Sequence, residues 1–341
     1  MAFRDLISQD IPIAALRHAV ASGRLPGALM FNGPAHVGKR TAALNLAKLL
    51  NCRQPVVLPN GDTDCCDQCA SCRKVDEGVH PDVIVVEPEG QFIKIDQIRR
   101  IGDQLGLNPF EAKKRVVVVH QAQRMNPEAA NAFLKTLEEP PADSLLVLCA
   151  DGLQHLPDTI VSRCMHLRFG VLAPGDLSRL FQREGTLAPD TAAFWAQFAQ
   201  GQLHPKLVEL APARLEIRET LLRWLERPRS TSYAEVVAGL YAWAGKTEWR
   251  FVLDWLETLA RDMGLMNEGL MGEEAGVMLI NADRKGALMN LLPWCQGEVP
   301  KWLHREVLAT RKAIELNAAK PLALETLWLK IRQMAKVVSA A

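Results

Sequence analysis

The stretch Gly33-Pro-Ala-His-Val-Gly-Lys-Arg-Thr41 has the residue types that hold phosphate. Gly33 and Gly38 let backbone N–H groups close around phosphate oxygens, a helix starting there adds positive dipole, and Lys39 brings a point charge. One part departs from the pattern. A magnesium-dependent loop carries Ser or Thr directly after the lysine; here that place is Arg40, and Thr41 comes one residue late. The cradle suits phosphate, whereas metal-dependent chemistry lacks a ligand. ATP or ADP is therefore expected to bind weakly at most, and Mg²⁺ is not expected to be needed. Arg40 has three open readings: a substitute for metal charge on a phosphate oxygen, a side chain that fills the pocket, or an exposed arginine at a helix start.

A second constellation is Cys52 followed by Cys66-Asp-Gln-Cys69-Ala-Ser-Cys72. Two consecutive C-x₂-C steps let three thiolates converge on one ion, and Cys52 completes a tetrahedron across the intervening loop. Four sulfur ligands point to a structural Zn²⁺ with no open position for catalysis. Cys65 is a rival for the fourth place, but adjacent residues rarely both face one ion. The plainer alternative is a run of reduced surface cysteines. His80 is not needed as a ligand and reads as a surface or loop histidine.

The elements that position these residues follow from pattern. Ala28 to Phe31 reads as a buried strand, and Ala43, Leu46, Ala47 and Leu50 mark one face of a helix, so the phosphate loop sits between strand and helix. Residues 4 to 23 read as a helical segment capped by Ser8 or Asp10 ahead of Pro12. Val83 to Val86, bounded by prolines, and Val116 to Val119 read as buried strands, with a helix between them capped by Asp96. In nucleotide hydrolases of this architecture the latter strand ends in Asp-Glu, one carboxylate for magnesium and one to polarise water. Here it ends His120-Gln121. A helix from Asn126 stops at Pro140-Pro141, Leu145 to Leu148 is a further strand, and Pro157 opens a short helix that delivers Ser162-Arg163-Cys164 before the strand Met165 to Phe169. Strands alternating with helices through residue 169 give a parallel sheet with helices on both faces.

Composition narrows the function class. Hydrophobic residues at 48% and charged residues at 23% of 341 are those of an ordinary globular chain, and a net charge of +1 argues against a nucleic-acid binder acting alone. No apolar targeting core or membrane-length run is present, so a cytoplasmic location is expected. Past residue 210, Trp249, Val252, Leu253, Leu256, Leu259, Ala260 and Met263 form one apolar helical stripe, and Leu324, Leu327, Trp328 and Ile331 another; both read as core. Gly264 to Gly276 reads as a flexible loop.

Four motifs in one order, the phosphate loop, the four cysteines, Leu134-Lys-Thr-Leu-Glu-Glu-Pro-Pro141 and Ser162-Arg-Cys164, resemble the bacterial sliding-clamp loaders of the AAA+ superfamily. The resemblance is dense over residues 1 to about 170 and returns at Leu316 to Leu327, which is similar to the family's last helical hairpin. It implies an α/β AAA+ domain over 1–170 with an inserted zinc module (52–80), a small helical lid over 171–210 and an all-α collar over 211–341. It also implies a heteropentamer with gamma/tau and delta subunits that loads the beta clamp onto primed DNA. The absent Thr, Asp and Glu favour the stationary subunit over a gamma/tau-type motor ATPase. Cys149 or Ala150 and His204 then stand at the family's two sensor positions. Arg163 is implied to be an arginine finger acting in trans on a neighbour's ATP; an isolated arginine would instead be read as pairing with Asp158.

Overall fold

Short, mostly apolar stretches make the strands, and five of them form the central sheet. The three inner ones are buried almost throughout, whereas the edge strand Val83–Val86 is half-buried rather than buried as expected and the other edge, Met165–Arg168, is largely exposed. In the computed structural model, which describes residues 1–185, 187–204, 206–245, 248–270 and 278–338, these are β1 (Ala28–Asn32), β4 (Val83–Val86), β5 (Arg115–Val119), β6 (Ser144–Ala150) and β7 (Met165–Arg168). Their order is β4-β5-β6-β1-β7, all parallel. Helix α1 (Asp10–Ala21) precedes the sheet, and α2 (Lys39–Asn51), α4 (Ile95–Leu105), α5 (Pro127–Glu138) and α6 (Asp158–Val161) link its strands, as parallel connections require. A short hairpin, β2 (Val56–Val57) with β3 (Thr63–Asp64), and α3 (Ala70–Asp76) form the excursion that carries the cysteines.

Two local readings change. The helix α4 is capped by Lys94 rather than Asp96, which falls in its first turn. The isolated bridge between Ile93 and Met125 fixes the chain there, and the Lys94 N–H donates to Gln97 Oε1 at 2.9 Å. Phe3–Asp5 forms only a 3₁₀ turn, and the first helix starts at Asp10 rather than near residue 4, with Gln9 and neither Ser8 nor Asp10 at its N-cap.

The chain divides into two compact units, Met1–Leu177 with Gln200–His204, and Ser178–Ala199 with Pro205–Ala341. The second is all-helical, with α8 (Pro189–Phe198), α9 (Lys206–Glu226), α10 (Tyr233–Ala244), α11 (Glu248–Asn267), α12 (Lys285–Leu291), α13 (Val299–Glu315) and α14 (Lys320–Val338). Helix α7 (Pro174–Gly185) runs from the first unit into the second. Both apolar stripes are buried as expected. Arg218, fully buried, is forked onto Asp283 at 2.8 Å and lies 3.7 Å from the Phe194 ring centre. Gly264 is inside α11 rather than in a loop, because the stripe continues to Met266. Of the expected glycine loop, residues 271–276 lie outside the described residues. Among the described residues no helix is long and apolar enough to cross a membrane.

One buried ion pair ties the sheet edge to a surface loop. Asp82 Oδ1 accepts from the Arg115 guanidinium at 2.9 Å and the Phe110 N–H at 2.8 Å, while Oδ2 accepts from the N–H groups of Glu111 and Ala112. Arg115 spends its other donors on the carbonyls of Gln104, Leu107 and Asn108. Burial opposes the charge on Asp82, but these N–H donors and Arg115 win and hold its carboxyl down at about 2. A depressed acid stabilises the fold above its unfolded value and loses that contribution as pH falls through the folded value. The share at stake is about 2 kcal/mol, lost between about pH 4 and pH 2. Asp82→Asn is expected to cost about 3–5 kcal/mol at neutral pH, since it strands a buried guanidinium. A urea melt checks this; a loss below about 1 kcal/mol would show that the pair is replaceable.

Candidate functional site

The strand register assembles the phosphate loop. Asn32, the last residue of β1, pairs with Ala150, the last of β6, and the Gly33 N–H donates to the Ala150 carbonyl at 3.3 Å. Both chains then leave the sheet side by side, at the carboxyl ends of parallel strands where open α/β sheets hold ligands. The two glycines are required. A Cβ on Gly33 would sit 2.1 Å from the Phe169 carbonyl oxygen, and Gly38, the N-cap of α2, has φ +96°. The strand, glycine-bearing turn and helix expected around this loop are present.

What fills it was not expected. Lys39 is 5% exposed, and its Nζ lies 2.7 Å from the Gly33 carbonyl and 2.9 Å from Asp151 Oδ1, with Pro34 O as a third acceptor. Arg40, nearly half exposed, turns to Glu87 at 3.1 Å, so of its three readings the surface one matches this arrangement. Thr41 is half-buried in the first turn of α2. His120 ends the strand where a catalytic carboxylate would stand; burial, helped by the neighbouring charge of Arg40, pushes its pKa below the ordinary value. The structure offers a donor set for phosphate, but the two carboxylates beside it, Asp151 and Glu87, are each engaged by a cation of the same chain. Neither stands free for Mg²⁺. Cys149 and Ala150 are buried in β6, and burial pushes the Cys149 thiol up to about 12. The His204 ring lies 4.6 Å from that of His36 in the loop. Asp151 and Glu87 are the functional residues that sequence reasoning missed. Asp151 had one usable signal, its place directly after a buried strand.

The cysteines converge. The sulfurs of Cys52, Cys66, Cys69 and Cys72 all lie within 4.8 Å of one another. Cys52 Sγ is 3.6 Å from Cys66 Sγ and 3.7 Å from Cys72 Sγ. A tetrahedron with zinc–sulfur bonds of about 2.3 Å has edges of about 3.8 Å, so the set fits this ion. Burial works against the Cys69 thiolate, yet the N–H groups of Arg53 and Cys72 outweigh it and bring the thiol down to about 6. Burial pushes Cys52 and Cys72 up. Cys65 stays out of the set: its Sγ faces Asp67 at 3.6 Å and burial raises it to about 12. His80 corrects an expectation. It is 4% exposed rather than on the surface, with Nε2 3.3 Å from Ser71 Oγ and Nδ1 accepting from the Asp82 N–H; burial lowers its pKa.

Arg163 follows α6 and precedes β7 by one residue. It is one-third exposed and pairs with Glu138, at the end of α5, rather than with Asp158. Its Nε lies 2.8 Å from Glu138 Oε1 and its Nη1 donates to the Thr159 carbonyl at 2.8 Å. The guanidinium is held at the surface by its own chain.

Residues 8–173 match the family model described as DNA polymerase III, delta subunit. Among curated proteins, DNA polymerase III subunit delta' of Bacillus subtilis (strain 168) is 36% identical over 159 residues, 47% of this chain and 46% of that one. DNA polymerase III subunit gamma of Buchnera aphidicola subsp. Acyrthosiphon pisum is 31% identical over 171 residues, 50% of this chain and 46% of that one. The chain thus matches about half the length of these relatives. A solved DNA polymerase III gamma subunit-related protein of Thermotoga maritima is 18% identical, with 95% of this chain and 99% of that one covered at a TM-score of 0.46.

Proposed function

We propose, from the premise that residues 8–173 belong to the clamp-loader branch of the AAA+ family, that this chain is a delta-prime-type, non-motor subunit of a DNA polymerase III clamp loader. Its work is to help hold the loader ring together and to present Arg163 to the ATP of a neighbouring motor subunit. The observation that carries this reading is the end of β5. His120 and Gln121 stand where magnesium and the attacking water need carboxylates, and positioning those two is nearly all that phosphoryl-transfer catalysis requires of a protein.

The partners are then gamma/tau and delta subunits in a heteropentamer, and through that complex the beta sliding clamp and primed DNA, in the cytoplasm. Residues 171–210 serve as lid and 211–341 as the collar that joins the ring. Zinc on Cys52, Cys66, Cys69 and Cys72 is structural, since four sulfur ligands leave no position for substrate. Gly33, Gly38, Lys39 and Thr41 form a degenerate phosphate loop.

The competing reading is a gamma/tau-type ATPase. The purified chain with ATP and Mg²⁺ separates them: turnover at background supports the non-motor subunit. Magnesium-dependent hydrolysis that is lost in Lys39→Ala would establish a motor, and another carboxylate would have to be found for the metal.

A further inference from the structure

An ammonium has three N–H donors, and Lys39 has three acceptors inside its own chain. Two are carbonyls of the loop itself, Gly33 at 2.7 Å and Pro34; the third, Asp151 Oδ1 at 2.9 Å, is the one that brings charge. Asp151 is not placed there by chance rotation. Its Oδ2 accepts from Gln123 Nε2 at 2.8 Å, and its N–H donates to Gln123 Oε1 at 3.3 Å. Gln123 sits in the 3₁₀ turn Ala122–Arg124 that follows β5, and Asp151 follows β6, so two adjacent strands fix the carboxylate from both sides. At the mouth of the loop, Arg40 is turned to Glu87.

We propose that Asp151 is a resident anion that takes the place of a nucleotide phosphate on Lys39. The loop is kept shut by this one carboxylate and not by any defect in the glycine cradle. The inference deepens the non-motor reading and rests on it for the idleness of the loop within a loader. A phosphate oxygen reaching Lys39 finds every donor engaged and a like charge beside the ammonium. Once Asp151 gives way, the cradle and the freed ammonium together accept a diphosphate group. The class of ligand is a nucleoside diphosphate or pyrophosphate, bound without metal.

The test is calorimetric titration of the full chain with ADP and with inorganic pyrophosphate in magnesium-free buffer. Asp151→Asn keeps the shape and an acceptor while removing the charge, and it should bind both probes at least tenfold more tightly than the parent. Adding Lys39→Ala should abolish that gain, because the gain runs through the ammonium. Gln123→Ala leaves the charge but removes its tether, and should give a smaller gain in the same direction. If Asp151→Asn fails to fold, Gln123→Ala decides: tighter binding upholds the proposal and unchanged binding overturns it. No gain in a folded Asp151→Asn protein, or a gain that survives Lys39→Ala, overturns it too. So does micromolar binding by the unmodified chain. These outcomes are independent of Arg163, so a failure of the trans-arginine reading would be recognised separately in assays of the assembled loader.

Discussion

Under the proposed non-motor reading, Arg163→Ala is expected to leave this chain folded and able to assemble, while the one ATP site of the loader that would border it falls nearly silent. The two halves of that expectation come from different terms. Within the chain, Arg163 and Glu138 form a partly exposed ion pair on the surface, worth at most about 1 kcal/mol, so a thermal melt should scarcely move. Across the boundary, a planar cation that reaches the γ-phosphate neutralises charge as it develops, and trans arginines of this kind are worth on the order of 10³ to 10⁵ in rate. Glu138 and the Thr159 carbonyl hold the guanidinium at the surface before any partner arrives, which lowers the ordering cost of the contact. Arg163→Lys should recover little, since an ammonium lacks the forked donor geometry. The measurement is clamp-stimulated ATP hydrolysis by a loader reconstituted with each variant. Unchanged turnover in the alanine variant would remove Arg163 from the mechanism.

Loss of a zinc ion from the proposed four-cysteine site is expected to be the second large effect. Structural zinc contributes on the order of 10 kcal/mol of folding free energy in small modules. Cys66→Ser should release the ion and unravel residues 52–80. The sheet should survive, because its strands pair among themselves without the excursion. Hydrogen exchange would read this as lost protection over 52–80 with β1, β5 and β6 still protected. Cys65→Ser should keep the metal, as that sulfur faces Asp67 instead of the cluster. Thiols must shed their protons to ligate as thiolates, so zinc affinity falls as pH falls. Elemental analysis of the parent protein comes first: absence of zinc there would falsify the assignment outright.

Much of this was readable before any coordinates. Four-residue β-branched runs, Val83–Val86 and Val116–Val119, announce strands, although only the second is fully buried, and the glycine turn before a helix is a local pattern. The partners of four key cations were not readable. Lys39 meets Asp151, Arg40 meets Glu87, Arg163 meets Glu138 and Arg115 meets Asp82, each across at least 25 residues. Which carboxylate answers which cation is decided by strand order and register, and no local spacing encodes that. His80 was misread for the same reason. A histidine next to a proline in a polar stretch has the composition of a surface loop, and only the fold reveals that Ser71 and Asp82 close over it.

The pairing of β7 with β1 has one more consequence. Leu29 is opposite Met165 and Asn32 opposite Arg168, in parallel, so Arg163 lies at the starting end of this strand pair and the phosphate loop at its finishing end, about 10 Å of strand away. The domain therefore has a head and a tail that differ in chemistry. A two-fold axis can bring heads together or tails together, but it cannot bring tail to head. Any arrangement in which one such domain's arginine meets the next one's loop must be heterologous, with every contact facing the same way around, and a domain whose own loop is shut ends the series.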